Sequence, residues 1–295
     1  MLDGAVHPLF MRCPMTYDKL TVALLSTLSA CDGHTTNAQI AHYLLAHAGE
    51  ADDLSVKELA AACHVGTGSV SRFAREAGFA DFTDLRAAFA EFARSYEPAA
   101  GSDALARAGH LADDVCVALR RTSAGVDAMA LERLVADIAR YDRIFVAGLL
   151  KAQAAALDLQ VDLLMQGKWA DTCVALADQM DHIARAGRDE LVIVFSFTGA
   201  YFEYGDIAAS MRRLDAPKVW LVCGGLRPQP DYVSDLLLFD AEPGRRGHPY
   251  QLELVAGLIA SEYAAATEGH TRQQKEQEMA DDVAKRARPP MATGA

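Results

Sequence analysis

An all-α domain followed by a doubly wound α/β domain, with a parallel sheet of five strands, is the fold class this sequence predicts. Three observations carry the prediction. Up to residue 95, apolar residues recur at helical spacing. At Tyr96-Glu97-Pro98-Ala99-Ala100-Gly101-Ser102 that periodicity is broken by Pro, Gly and Ser. Beyond residue 140, short β-rich apolar runs alternate with helical stretches, the pattern of a parallel sheet covered on both faces.

In chain order, Leu20, Leu24, Leu25 and Leu28 mark a first helix, and Ile40, Tyr43, Leu44 and Leu45 a second. Thr35, Thr36 and Asn37 offer side-chain oxygens to cap the second. Short helices opened by Ser, Thr or Asp follow at about 55–63, 67–77 and 81–95. After the break, amphipathic helices at about 103–121 and 127–140 lead into five strand-like runs: Arg143 to Gly148, Trp169 to Val174, Leu191 to Ser196, Lys218 to Cys223 and Leu236 to Phe239. A last helix at about 249–267 gives way to a charged stretch, read as a solvated helix and then a frayed tail. The expected organisation is therefore a helical domain over 1–95, a linker over 96–102, an α/β domain over 103–268 and a tail over 269–295.

Composition narrows the function classes. With 51% hydrophobic and 23% charged residues the chain reads as globular, and its length of 295 residues accommodates two domains. The six cysteines are scattered, without C-x-x-C pairs or His-rich metal spacing, which points to free thiols in a reducing, cytoplasmic setting and to no metal or cofactor. Leu20 to Cys31 resembles a lipoprotein signal in its apolar run and Leu-Ser-Ala-Cys box, but no distinctly positive segment precedes it. It reads better as the first amphipathic helix. The formal net charge is -12, and residues 1–98 hold seven basic against twelve acidic side chains. Any nucleic-acid contact must therefore be confined to a local basic patch.

Such a patch lies in Ser55 to Phe79, SVKELAAACHVGTGSVSRFAREAGF. A short helix containing Leu59 and Ala60, a turn at His64-Val65-Gly66 and a second helix from Thr67 have the spacing of a helix-turn-helix. Thr67, Gly68, Ser69, Ser71 and Arg72 would form the outward face, with Arg75 one turn on, while Val70 and Phe73 face inward. Arg72 and Arg75 suit phosphate or guanine. By spacing alone, a plain helical hairpin with two surface arginines fits equally. Residues 35–92, with Ile40-Ala41, Leu54 to Ala60, Val70-Ser71-Arg72-Phe73 and Gly78-Phe79 followed by Phe82 and Leu85, resemble the N-terminal domain of the RpiR family of bacterial transcriptional regulators. The resemblance implies binding to double-stranded operator DNA through Thr67, Ser69, Ser71, Arg72 and Arg75. The chain departs from the family at Gly66, where a capping Ser is usual.

Ligands of doubly wound sheets sit beyond the carboxyl ends of the strands, which directs attention to the loops at 147–153 and 196–201. The second, Ser196-Phe197-Thr198-Gly199-Ala200-Tyr201, has hydroxyls around a glycine whose neighbouring N–H groups could meet an anion, with a helix expected just after it. An ordinary β-α turn has the same composition. Residues 127–240 resemble the sugar isomerase (SIS) domain, a flavodoxin-like fold in which a Ser-x-Ser-Gly-x-Thr loop holds the phosphate of a phosphosugar. That loop falls on Ser196 to Tyr201, with Tyr201 in place of Thr. The family's Gly-x-Gly-x-Ser falls on Gly148-Leu149-Leu150-Lys151-Ala152, of which only Gly148 is kept. Lys151 could substitute charge for the lost hydrogen bonds.

The expectation is a regulator, not an enzyme, that senses a small anionic metabolite such as a phosphosugar through Gly148, Lys151, Ser196, Thr198, Gly199 and Tyr201. The family resemblance implies a homodimer or homotetramer. Two alternatives stay open. A sugar-phosphate isomerase or lyase would need a general base, for which Glu203, Glu253 and His248 are candidates. A regulator that has lost ligand control would bind DNA whatever metabolite is present.

Overall fold

The computed structural model describes residues 19–30, 35–47, 54–77, 79–92, 100–204, 207–225, 228–241 and 248–286. Most of the 96–102 break, the residues beyond 286, and Cys13 and Cys31 lie outside them.

Among the described residues, five helices form the N-terminal domain: α1 (Lys19–Ala30), α2 (Thr36–Ala46), α3 (Val56–Ala62), α4 (Thr67–Glu76) and α5 (Phe82–Phe92). The starts of α2, α3 and α5 are set by short polar side chains. Thr35 Oγ1 accepts from Ala38 N at 3.1 Å, and Asp81 Oδ1 accepts from Thr83 N and Asp84 N at 2.8 and 3.0 Å. Ser55 and Glu58 form a reciprocal capping box, and these bonds draw the exposed Glu58 carboxyl below its ordinary pKa. Asn37, expected as an alternative cap, instead donates to Glu76 Oε2 at 2.8 Å and ties α2 to α4. The core is one cluster of Leu24, Ile40, Leu44, Leu59, Val70, Phe73, Phe82 and Leu85, all buried.

The C-terminal domain comprises α6 (Ala104–Gly125), α7 (Ala128–Arg140), β1 (Arg143–Gly148), α8 (Lys151–Met165), α9 (Leu176–Arg185), β2 (Glu190–Phe195), α10 (Ala208–Met211), β3 (Lys218–Cys223), β4 (Asp235–Leu238) and α11 (His248–Arg286). The strands are parallel in the order β1-β2-β3-β4. Strand residues alternate between two cores. Ile144, Val146, Leu191, Ile193 and Val222 face α7, α8 and α11, whereas Phe145, Ala147, Val192, Val194 and Leu221 face α9 and α10. Period-two alternation between two apolar faces explains why each strand reads as a continuous apolar run.

Three expectations need correction. Among the described residues the sheet has four strands, not five. The run at 169–174 reduces to a single parallel bridge of Asp171 to Phe145, held by Asp171 N to Ile144 O at 2.9 Å and Val146 N to Asp171 O at 2.8 Å. Its hydrophobicity misleads, because Trp169 and Val174 are exposed rather than packed. The last helix runs to Arg286 rather than ending near 267, so the charged stretch continues the helix that anchors the domain. The loop after β2 leads not into a regular helix but into a single 3-10 turn at Tyr201–Glu203, too short to supply an appreciable N-terminal dipole.

Candidate functional site

The α3–α4 pair is the first candidate. After Ala62 the chain turns through His64 in the left-handed region (φ 54°), with His64 N donating to Ala61 O at 3.2 Å and Val65 N to Ala60 O at 2.9 Å. This paired closure ends α3 within three residues and starts α4 at a fixed angle. Gly66 caps α4 with no side-chain bond, in keeping with the absent serine. Val70, Phe73 and Ala74 are buried against the domain core. Opposite them Thr67, Gly68, Arg72 and Arg75 are exposed, while Ser69 and Ser71 are half-buried. Thr67, Ser71, Arg72 and Arg75 thus share the outward side of α4, and Ser69 stands half-buried at its edge, beside Phe73. Ser71 Oγ donates to Thr67 O at 3.2 Å, and Arg75 Nε to Ser71 O at 3.2 Å. Arg72 lies 3.8 Å from Glu76, an exposed pair that contributes little and leaves the guanidinium available to a phosphate.

The second candidate is a cleft at the carboxyl ends of β1 and β2, lined by Ser196, Thr198, Leu149, Leu150, Tyr201 and Tyr204 among others. Gly148 is dictated by packing: a Cβ there would stand 2.5 Å from the Ala152 carbonyl oxygen, so the first turn of α8 closes on bare backbone. Gly199 adopts φ 75°, and its N–H donates back to Ser196 O at 3.0 Å, closing a tight turn that presents Ser196 and Thr198 to the cleft. Lys151, in contrast, is exposed at the start of α8 and is not part of the lining. Tyr201 is 1% exposed and turns its hydroxyl inward, donating to Gln179 Oε1 at 2.7 Å. Burial pushes that phenol well above its ordinary pKa, so it stays a neutral donor.

Gln179 escaped the sequence reading. It is fully buried, and its amide nitrogen donates to Gly148 O at 2.8 Å and Cys173 O at 2.7 Å, beside the amide of Gln153. Gln153 in turn reaches Thr172 Oγ1 at 3.1 Å. One side chain therefore ties together both loops of the cleft. The available signal was a glutamine three residues after Leu176 and four before Ile183, on the apolar stripe of α9.

Leu150 is the other departure that matters. It occupies φ 57°, ψ -116° at the start of α8, a backbone conformation natural to glycine. The resemblance places a glycine here, and the chain keeps that glycine's conformation while carrying leucine. Leu150→Gly is accordingly expected to change stability by less than about 1 kcal/mol, because relief of strain offsets lost packing. A drop of more than about 5 °C in thermal unfolding would show that the strain is not there.

Two thiols flank the cleft. Burial, and for Cys173 also the Asp178 carboxylate, pushes Cys173 and Cys223 up to about 11. At pH 8 their thiolate fraction is on the order of one in a thousand. Iodoacetamide should therefore modify the exposed Cys116 before either, as checked by mass spectrometry over time.

Of the three bases considered, Glu203 is exposed on the 3-10 turn, and neither it nor Glu253 lines the cleft. Burial, and the nearby Asp158, raise the Glu253 carboxyl. His248 begins α11, and its side chain lies outside the described residues. Among the described residues no group of His, Cys, Asp or Glu is arranged to hold a metal ion, and no helix is long and apolar enough to cross a membrane.

This geometry defines an N-terminal helix-turn-helix followed by an α/β domain with a cleft between two loops at the carboxyl ends of its strands. Residues 29–95 match the profile of the helix-turn-helix domain of the rpiR family, and the N-terminal domain is a domain of that kind. No curated protein matches the chain. Among solved structures, NanR of Vibrio vulnificus complexed with ManNAc-6P is similar at 19% identity, over 90% of this chain and 98% of that one, with a TM-score of 0.48. The sugar isomerase domain of an RpiR transcription factor from Sphaerobacter thermophilus is similar at 20% identity, over 58% and 98%, with a TM-score of 0.44. E. coli CFT073 c3406 in complex with A5P is similar at 12% identity, over 57% and 94%, with a TM-score of 0.47.

Proposed function

We propose that this protein is a DNA-binding transcriptional regulator whose α/β domain senses a small anionic metabolite, of the phosphosugar class, and thereby alters operator binding. The observation that carries the reading is the α4 face, where Thr67, Ser71, Arg72 and Arg75 stand together, with Ser69 at the edge, on a helix whose other side is locked into the domain core. In an acidic chain, that patch supplies the local positive charge a duplex requires. Ser196 and Thr198, presented by the Gly199 turn, supply hydroxyls for an anion or a sugar.

The mechanism is linkage. A ligand that binds one arrangement of a dimer better than another changes the spacing of two recognition helices, which must match half-sites one helical turn or a multiple apart. The test is a mobility-shift titration on the DNA upstream of the gene at fixed salt, with and without a panel of sugar phosphates. ManNAc-6P and A5P come first. Sequence-selective binding that shifts with one member supports the reading. Absence of selective binding refutes the DNA half, and binding indifferent to every metabolite refutes the sensing half. Turnover of a sugar phosphate by the purified protein would favour the isomerase alternative instead.

A further inference from the structure

The cleft has a wall from an unexpected source. Besides residues of the α/β domain it is lined by Val22, from α1 of the helix-turn-helix domain. Val22 is 3% exposed and belongs to the apolar cluster of Phe145, Leu149, Tyr201 and Phe202, whereas Leu24 on the same helix belongs to the DNA-binding core. Two residues on a helix are separated by about 200°, so α1 faces the cleft with one side and its own domain with the other. Ser26, one turn from Val22 on the cleft-facing side, is buried, and its hydroxyl has no partner among the described residues. This seam is therefore thin, and it buries a polar group without compensating it.

The cleft is also small. Its volume is about 40 Å³, on a scale where one water needs roughly 10–15 Å³. That enclosed part holds a few waters, so a sugar seated deep against Ser196 and Thr198 presses on its walls. The sheet side is fixed by the strands and by the Gln179 bonds, and the floor by the Gly148 contact. Among the described residues, α1 contributes Val22 to the lining.

Building on the sensing role proposed above, we infer that the metabolite site is composite, with Val22 of the DNA-binding domain as its roof: a ligand seated on Ser196 and Thr198 displaces α1 and so repositions the helix-turn-helix. Ligand and DNA are then coupled by direct contact rather than through a long relay.

The test uses the full-length protein in two arms. In the first, hydrogen–deuterium exchange is followed with ManNAc-6P and A5P as probes. Protection of 196–204 together with faster exchange in 19–30 supports the composite site, while protection of 196–204 with 19–30 unchanged overturns it and leaves the sensing role intact. In the second, no ligand is needed. Val22→Asp, with Val22→Ala in case the first variant fails to fold, should speed exchange in 19–30 and change operator Kd by about five-fold or more, the lower end of usual couplings. Wild-type affinity in a folded variant with loosened α1 overturns the inference. If neither probe binds, the second arm decides. If wild-type protein binds no operator, the DNA half of the proposed function fails, and exchange in the first arm still decides whether α1 roofs the site.

Discussion

Replacing both Arg72 and Arg75 by alanine is expected to weaken operator binding by roughly 30-fold to about 20,000-fold, since each arginine contact to a base edge is worth about 1–3 kcal/mol. The loss should come with a signature. If both arginines neutralise phosphates, the slope of log K against log salt falls by about two, near 0.9 per contact. If one reads a guanine instead, discrimination between operator and random DNA shrinks and the slope changes by about one. Both side chains are exposed and the helix is held by Val70, Phe73 and Ala74, so the variant should melt as the wild type does. Unchanged operator affinity at matched salt would remove α4 as the recognition helix.

Gln179→Leu is expected to have the largest effect on stability. Leucine is close in volume but cannot bond, and three groups lose a partner at once: the buried Tyr201 hydroxyl and Gly148 carbonyl, and the half-buried Cys173 carbonyl. An unsatisfied buried polar group costs about 1–3 kcal/mol, so a loss of roughly 3–5 kcal/mol follows, or about 10 °C in the melting of a domain this size. Adding Tyr201→Phe removes one of the orphaned groups. The double variant should therefore recover about 1 kcal/mol, a non-additivity that thermal or urea unfolding can measure. If the double variant is less stable than Gln179→Leu by the full cost of the tyrosine change, the two residues are not partners.

How much of this was legible beforehand differs between the two domains. The helix-turn-helix depends on local rules. Ser55 and Glu58 close a capping box three residues apart, His64 and Val65 end α3 within one turn, and Val70 with Phe73 sets which side of α4 is buried. All of these act within a few residues, so the order of types along the chain contains them. Three of the strands, Arg143–Gly148, Glu190–Phe195 and Lys218–Cys223, were legible for a similar reason: both faces are covered, so nearly every residue is apolar.

The cleft was legible only as two loops. That Ser196 and Thr198 point into it follows from the Gly199 turn, but its contents come from elsewhere: Gln179 from α9, and Val22 from a helix more than a hundred residues away in sequence. The fifth strand failed for a related reason, since whether 169–174 pairs along its length or at Asp171 alone is settled by what packs on Trp169, which is exposed.

The sequence by itself determined the helical-then-α/β order, the second helix of the helix-turn-helix with Arg72 and Arg75 outward, and the parallel α/β scaffold, because caps, turns and apolar periodicity act between near neighbours. Only the tertiary structure decided that the Tyr201 hydroxyl is held by Gln179, that Leu150 keeps a glycine's backbone, and that Val22 of α1 lines the cleft. Those outcomes depend on which distant side chains compete for the same buried space and the same hydrogen-bonding groups.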